Sequence, residues 1–501
     1  MLARLLLLLL LSLSAAIPHA EKQLNNSLRR DGSLEGLAAL LNKHAVFILG
    51  DEALGAAEAR ELGVEDTGSG EPRARVSPDQ ANRMLSVLAQ WLIMPPAAPL
   101  SAVIPSPQDD APPPVDCTDP RFSQILTGVP LKQPRPVVDF VAVGYDLDAL
   151  EVRLVDNYAV VDVFVLYEAP RTQHGYAKPL FVREALLGTD RFERFLPKVL
   201  HFRASEADIA VFSSLTATAK KAHNAGQTYD VNALWALEKQ QRTEVIRRFH
   251  ERLSRDQELR ARLGWGDGIG TGTPDTQPWG IQGDEDELIT RSSLAHFRAC
   301  EFKTGVGRAG IYAPCFLFKG SYSWLMKHPG AMPCLAHATH LAGTTVRTTT
   351  ELAAFYWRPG PWLWPLSQFL ESNSTLRVHH GSACHDHLGI GAAVHLSGVA
   401  EPAKWLYKQF GAIEYSAQVP SELLAALRLR SVTPRLLYDV APVPIGEQAV
   451  KVVEASLPRA VTSSPERYPF MVPGAVDPNG TNAAVRFTSE LGFLELCDGR
   501  R

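Results

Sequence analysis

The sequence predicts an α/β fold with a mainly parallel central sheet, and three consecutive segments carry that expectation. Val137–Val143 is an apolar run rich in β-branched residues, 147–156 places Leu147, Leu150 and Leu154 on one helical face, and 160–167 is a second apolar run. Strand, helix and strand in that order call for parallel strands joined by a crossover helix.

The N-terminus comes first in the chain. Met1 to Arg4 forms a basic start, and a leucine-rich run continues through Leu13. Residues 1–20 read as a signal peptide or a signal-anchor, since the apolar run is shorter than the roughly 20 residues that span a bilayer comfortably. Residues 21–116 read as a poorly structured stem, partly helical at 34–49 and 81–93 and proline-rich at 95–114. A catalytic domain is expected over 117–430. A C-terminal extension at 431–501 is expected to pack on it or to remain partly disordered.

Within the domain, helices are expected at 183–195 and 231–263, the second with Trp235, Glu238, Gln241 and Arg242 at one-turn spacing. Pro274 and several glycines interrupt the chain before the acidic run Asp284-Glu285-Asp286-Glu287. Residues 288–302 resume as helix and 310–324 look strand-like. The aromatic stretch 357–364 is broken by Pro359 and Pro361 and reads as a surface or cleft loop whose rings suit sugar stacking.

Composition bounds the partners. With 46% hydrophobic residues in 501, the chain can bury a large core in two or three units. Fifty basic against fifty-four acidic side chains give a net charge of -4, so no global field points to nucleic acid. Six cysteines suit an oxidising compartment, with Cys300, Cys315 and Cys334 close enough for local bridges and buried thiols as the alternative. Asn-x-Ser/Thr triplets at Asn25, Asn373 and Asn479 agree with a lumenal location. Neither Gly-x-Ser-x-Gly nor His-Glu-x-x-His occurs, so nothing positive supports a hydrolase.

The acidic run concentrates the chemistry. Asp284 and Asp286 straddle one residue, and on a turn after a strand such carboxylates can hold Mn²⁺ or Mg²⁺ against diphosphate oxygens, although an isolated Asp-x-Asp reads first as a solvated acidic turn. Glu287 reads as a base, a donor-sugar contact or a turn-stabilising carboxylate. Glu168, at a strand end, lies where open sheets bind ligands, or makes a structural hydrogen bond. Glu238 and Arg242 form an intrahelical pair at i,i+4, unless Arg242 reaches a diphosphate. His395 reads as a metal or phosphate contact or as a structural residue. The cluster His379, His380, His385 and His387 has no zinc-like spacing and reads as a polar loop.

A resemblance ties these together. Tyr145-Asp-Leu-Asp-Ala-Leu-Glu151-Val-Arg153, followed by Val161-Asp-Val-Phe-Val-Leu-Tyr-Glu168, resembles the opening of glycosyltransferase family 17, the β-1,4-mannosyl-glycoprotein 4-β-N-acetylglucosaminyltransferases. The similarity continues through Lys178-Pro179-Leu180, Arg183-Glu184, Lys198-Val199-Leu200 and Trp235-x-x-Glu238-x-x-Gln241-Arg242. It then reaches Asp284-x-Asp286-Glu287-Leu288 and His395-Leu-Ser397, with Lys408 and Glu414-Tyr415 following, and covers about 280 residues. The segment 279–283 ahead of the acidic run is short, Ile289 replaces a proline, and Val394 replaces a tryptophan.

The resemblance implies a GT-A-like nucleotide-sugar domain and a hexosyltransferase. UDP-N-acetylglucosamine would be the donor, a mannose of a glycoprotein N-glycan the acceptor, and a β-1,4 linkage formed with inversion the outcome. It further implies metal at Asp284, Asp286 and His395, donor contacts at Glu168, Arg242 and Glu238, and proton transfer by Glu287 or Asp286. The setting would be the Golgi lumen, with membrane anchoring through the N-terminus as a single-pass type II protein; secretion or the ER lumen are the alternatives. A noncatalytic carbohydrate-binding relative, or a transferase with another nucleotide sugar or acceptor, are the competing readings.

Overall fold

The computed structural model describes residues 34–49, 73–96, 110–224, 231–266, 275–307, 310–325, 356–357, 360–372, 376, 386–388, 392–399, 402–411, 418–420, 458–464, 466–468 and 471. The expected signal segment, the three glycosylation triplets, Cys334, Cys384, Cys497, His379, His380 and His385 lie outside the described residues.

The chain is mixed α/β. In order, it forms α1 (Leu34–Lys43), α2 (Ala45–Leu49), β1 (Arg73–Arg75), α3 (Pro78–Ile93), β2 (Leu126–Pro130), β3 (Val137–Val143), α4 (Leu147–Asn157), β4 (Val163–Glu168) and α5 (Phe181–Gly188). Then follow β5 (Val199–Arg203), α6 (Glu206–Asn224), α7 (Val231–Leu253), α8 (Gln257–Arg262), β6 (Trp279–Asp284), β7 (Glu287–Ile289), α9 (Arg291–Ala299) and β8 (Cys300–Phe302). The remainder comprises β9 (Ile311–Tyr312), β10 (Cys315–Leu325), β11 (Tyr356–Trp357), β12 (Trp362–Pro365), α10 (Leu366–Ser372), β13 (Asp386–His387), β14 (Ala393–Val399), α11 (Pro402–Gly411), β15 (Gln418–Pro420) and α12 (Arg459–Ser463).

A seven-stranded sheet of order β13-β9-β12-β6-β3-β4-β5 forms the centre. Strands β6, β3, β4 and β5 run parallel, whereas β12 is antiparallel to both neighbours. The expected central sheet is present as a mixed one, parallel from β6 to β5. Alternation along β3 explains why it is central: Val137, Val141 and Val143 enter one apolar cluster with α4, while Val138 and Phe140 enter the other with α7 and α10. A strand apolar on both faces can be buried only between two helical layers.

A second sheet of order β11-β10-β14-β7 stands beside the first. The chain passes from one to the other through the turn between β6 and β7, so the acidic run is the crossing point. The disulfide Cys117–Cys300 fastens the segment ahead of β2 to β8, in place of the local bridges expected around Cys300.

Local chemistry redraws several expected boundaries. The second strand begins at Val163 because the N–H groups of Val160 and Val161 still bond the carbonyl of Asn157, closing the turn after α4. The helix expected at 183–195 is α5 followed by a 3-10 turn at Glu193–Lys198, since Thr189 folds its hydroxyl back onto the Ala185 carbonyl. Residues 231–263 divide into α7 and α8 where Asp256 accepts the Leu259 N–H and caps a new helix. In 288–302 the helix is only α9, begun by Thr290 and followed by strand β8.

The stretch 357–364 is not a surface loop in its described part. Trp362 and Leu363 are buried in β12, paired with Gln282 and Ile281 of β6 and with Tyr312 and Ile311 of β9. Pro361 and Pro365 fall at the strand's ends, where a missing N–H costs least. The 34–49 and 78–93 parts of the expected stem are helical, and α3 buries Leu85 and Leu88 while packing on α11 and α5. Ser77 and Gln80 form its capping box.

Strand β6, short as it looks, sits at the middle of the sheet because Gly280 allows two rings to close over it. A Cβ there would lie 2.6 Å from Phe369 and 2.9 Å from Phe140. Gly280→Ala is therefore expected to destabilise the fold by about 1–3 kcal/mol through overpacking. Urea unfolding of the variant checks this; an unchanged midpoint would refute the packing account.

Candidate functional site

Asp284 ends β6 beside Ala142 of β3, which in turn pairs with Tyr167 of β4. The acidic turn therefore stands at the carboxyl edge of the parallel strands, where open α/β sheets bind ligands.

Glu285 locks the turn in place. Its carboxylate accepts the N–H groups of Gly144 at 2.5 Å, Tyr145 at 3.0 Å and Asp146 at 2.9 Å, all in the turn between β3 and α4. Burial and the neighbouring Asp146 and Asp286 carboxylates push the Glu285 pKa up to about 7, against the pull of those amides. Asp146 caps α4 through the Ala149 N–H and is ion-paired with Lys404 of α11. Lys404 also donates to the Leu396 carbonyl of β14, at 3.2 Å. One small network thus joins both sheets and α11.

Each expected site residue has a definite place. Both oxygens of Asp284 are met by Arg242, with Nε at 3.0 Å and Nη2 at 2.7 and 2.6 Å. Glu238 pairs with the same guanidinium at 3.1 Å and accepts from Gln173 at 3.0 Å. Glu287 is fully buried and its Oε2 accepts the Asp284 N–H at 2.9 Å, which is the turn-stabilising role. Glu168 is likewise buried and accepts the N–H groups of Val182 and Arg183 at the start of α5, with His201 at 2.8 Å. Its oxygens are engaged in capping a helix. His395 of β14 lies 3.5 Å from Asp286. Burial alone would raise the Asp286 pKa, but His395, Lys404 and Lys408 outweigh it and hold the carboxyl well below its ordinary range.

The structure brings Arg242, Glu238 and Asp284 together on one side of the turn, and Asp286 with His395 on the other. Sequence reading gave no role to Glu285, Asp146, Lys404 or Arg153. Arg153 donates to Asp139 at 2.8 and 2.6 Å and to the carbonyls of Asp284 and Glu287 at 2.5 and 2.9 Å, so it underpins the turn from below. The signal available for it was a basic residue on the apolar face of the α4 pattern, where a cation needs a buried partner.

The residues do not fit a divalent ion shared by the two aspartates. Asp284 spends its oxygens on a guanidinium from α7, and Asp286 meets an imidazole from the second sheet. Among the described residues no group of three or more His, Cys, Asp or Glu side chains is placed to hold a metal ion. Nor, among the same residues, is any helix long and apolar enough to cross a membrane.

Fold and site together define a mixed α/β protein with a charged edge where two sheets meet. Comparison of the chain with protein-family models, curated proteins and solved structures yields no match.

Proposed function

We propose that this edge binds a nucleotide sugar and transfers its sugar to a hydroxyl group. Specifically, N-acetylglucosamine passes from UDP-N-acetylglucosamine to a mannose of a glycoprotein N-glycan, in β-1,4 linkage with inversion, in a GT-A-like domain. The observation that carries the reading is the acidic turn standing at the carboxyl ends of β3 and β6 and locked there by Glu285. The sequence resemblance supplies donor, acceptor and linkage, and with them the Golgi lumen as the setting.

In the reaction, the acceptor oxygen forms a bond to the anomeric carbon as that carbon's bond to the β-phosphate oxygen breaks. The electron pair leaves with UDP, and the acceptor proton passes to a carboxylate. Of the four in the turn, Glu285 and Glu287 accept backbone N–H groups and Asp284 accepts Arg242. Asp286 is left to take the proton, and the cations that hold its carboxyl low make it a weak base.

Purified full chain is expected to transfer labelled N-acetylglucosamine to a mannose-terminated N-glycan. Asp286→Asn should lower the rate by about 10²–10⁴-fold, with an unchanged circular-dichroism spectrum to show that the variant is folded. Absence of transfer by the wild type from a panel of UDP and GDP sugars would reject the transferase; retained glycan binding in that case would leave a carbohydrate-binding protein.

A further inference from the structure

A divalent ion on an Asp-x-Asp turn and the ion pair found there compete for the same atoms. Arg242 gives Asp284 three hydrogen bonds, and Glu238 holds the guanidinium from one helical turn away. The backbone beneath is fixed as well, since the Gln282 side chain of β6 donates to the Arg242 carbonyl at 3.1 Å. The cation is thus clamped between helix and sheet. Its side chain is 3% exposed whereas that of Asp284 is 35% exposed, so the pair opens to the rim through the carboxylate. At such a buried position a fixed charge acts through a low effective dielectric and is worth more than in water.

The second aspartate faces elsewhere. Asp286 sits against His395 of β14, and the main-chain carbonyl of Asp286 accepts the Leu396 N–H at 2.7 Å, which binds that residue to the second sheet. Drawing both carboxylates onto one ion would break the fork that the buried Arg242 guanidinium makes with Asp284, which is costly.

We propose that Arg242 is the resident cation of this site and that a nucleoside diphosphate binds there without a divalent ion. The inference rests on the nucleotide-sugar reading above. Asp284 and Glu238 are positioning residues that hold the guanidinium just beneath the rim. A planar guanidinium offers phosphate the same two-pronged match it offers carboxylate, so a phosphate oxygen can exchange with an Asp284 oxygen while Glu238 keeps its contact. When the sugar leaves, the diphosphate gains one negative charge, and Arg242 meets it with no reorganisation of the site.

Calorimetry on the full chain with UDP and with uridine, each in excess EDTA and in Mn²⁺, tests this. UDP is expected to bind in EDTA, with Mn²⁺ changing its affinity by less than about threefold. Arg242→Gln should weaken UDP by about 30-fold, the loss expected for one charged hydrogen-bond partner, and leave uridine unchanged, which also reports that the variant is folded. Arg242→Lys should fall between, because it keeps the charge and loses the fork. UDP binding that requires Mn²⁺, or that ignores Arg242→Gln, would overturn the proposal while leaving the nucleotide-sugar reading standing. Failure of the wild type to bind UDP in either condition would reject both.

Discussion

Arg153→Met is expected to lower the unfolding free energy by about 3–5 kcal/mol, the cost of breaking a buried ion pair by removing one partner, and to abolish the proposed transfer. Asp139 lies on β3 with no exposed surface, and Arg153 is its fully buried partner through two hydrogen bonds. The same guanidinium reaches the carbonyls of Asp284 and Glu287, which bracket the acidic turn. Methionine leaves a buried carboxylate without its cation and frees the turn from α4. The double variant Asp139→Val, Arg153→Met separates the two roles. Replacing both charges with apolar groups is often neutral, so it should recover more than half of the lost stability but not the activity, because the two carbonyls still lack their donor. Chemical unfolding and transfer assays on both variants decide the matter. A single variant losing less than about 1 kcal/mol, the scale of an exposed pair, would show that the network is not what holds the turn.

The second large effect lies at the C-terminus. Glu151 of α4 has no exposed surface and accepts from Arg191 at 2.7 Å, from Arg467 at 2.6 and 2.9 Å and from the Tyr468 hydroxyl at 2.5 Å. Asp156, one and a half turns further along α4, accepts the N–H groups of Arg459 and Ala460. The described part of the C-terminal extension is therefore strapped to the helix whose other end carries Asp146 at the candidate site. Arg467→Ala should cost about 3–5 kcal/mol, again by leaving a buried charge short of its partner.

Its pH dependence has a definite sign. Burial pushes Glu151 upward, but Arg467 and Arg191 outweigh it and bring its pKa from 4.5 down to about 2. A depressed carboxylate stabilises the fold above its unfolded pKa and loses that contribution as pH falls through the folded one, so wild-type stability should drop between pH 4.5 and 2. Asp156 works the other way. Burial raises it from 3.8 to about 6 despite the two amides and the nearby arginines, so its contribution is present below pH 3.8 and is lost as pH rises through about 6. Urea melts from pH 2 to 7 should show Arg467→Ala flattening the acid limb while leaving the Asp156 limb intact. An acid limb as steep as in the wild type would refute the role given to Glu151.

Much of this architecture was legible before any coordinates. Strand β3 was readable to the residue because every position from Val137 to Val141 is buried and β-branched or aromatic side chains dominate it. The Glu238 and Arg242 pair was legible from i,i+4 spacing alone. Helix 147–156 differs from α4 only at its end. Less visible were boundaries set by single side-chain caps, such as Asp256, which divides one expected helix into two. Pro361 misdirected the reading of 357–364, since its position just ahead of a strand depends on which neighbours the sheet supplies. The Cys117–Cys300 bridge spans 183 residues, and no local spacing rule reaches that far.

By itself the sequence determined the α/β class, the parallel strands around β3 and the presence of four carboxylates in one short turn, because each follows from periodicity or from adjacency along the chain. Only the tertiary structure decided what each carboxylate does. Arg242 lies 42 positions from Asp284, Glu285 about 140 from the amides it accepts, and His395 arrives on a strand of another sheet. Those partners meet because β6 is inserted between β12 and β3, and sheet order is fixed by the burial of both faces at once, a sum over the whole core that no single segment records.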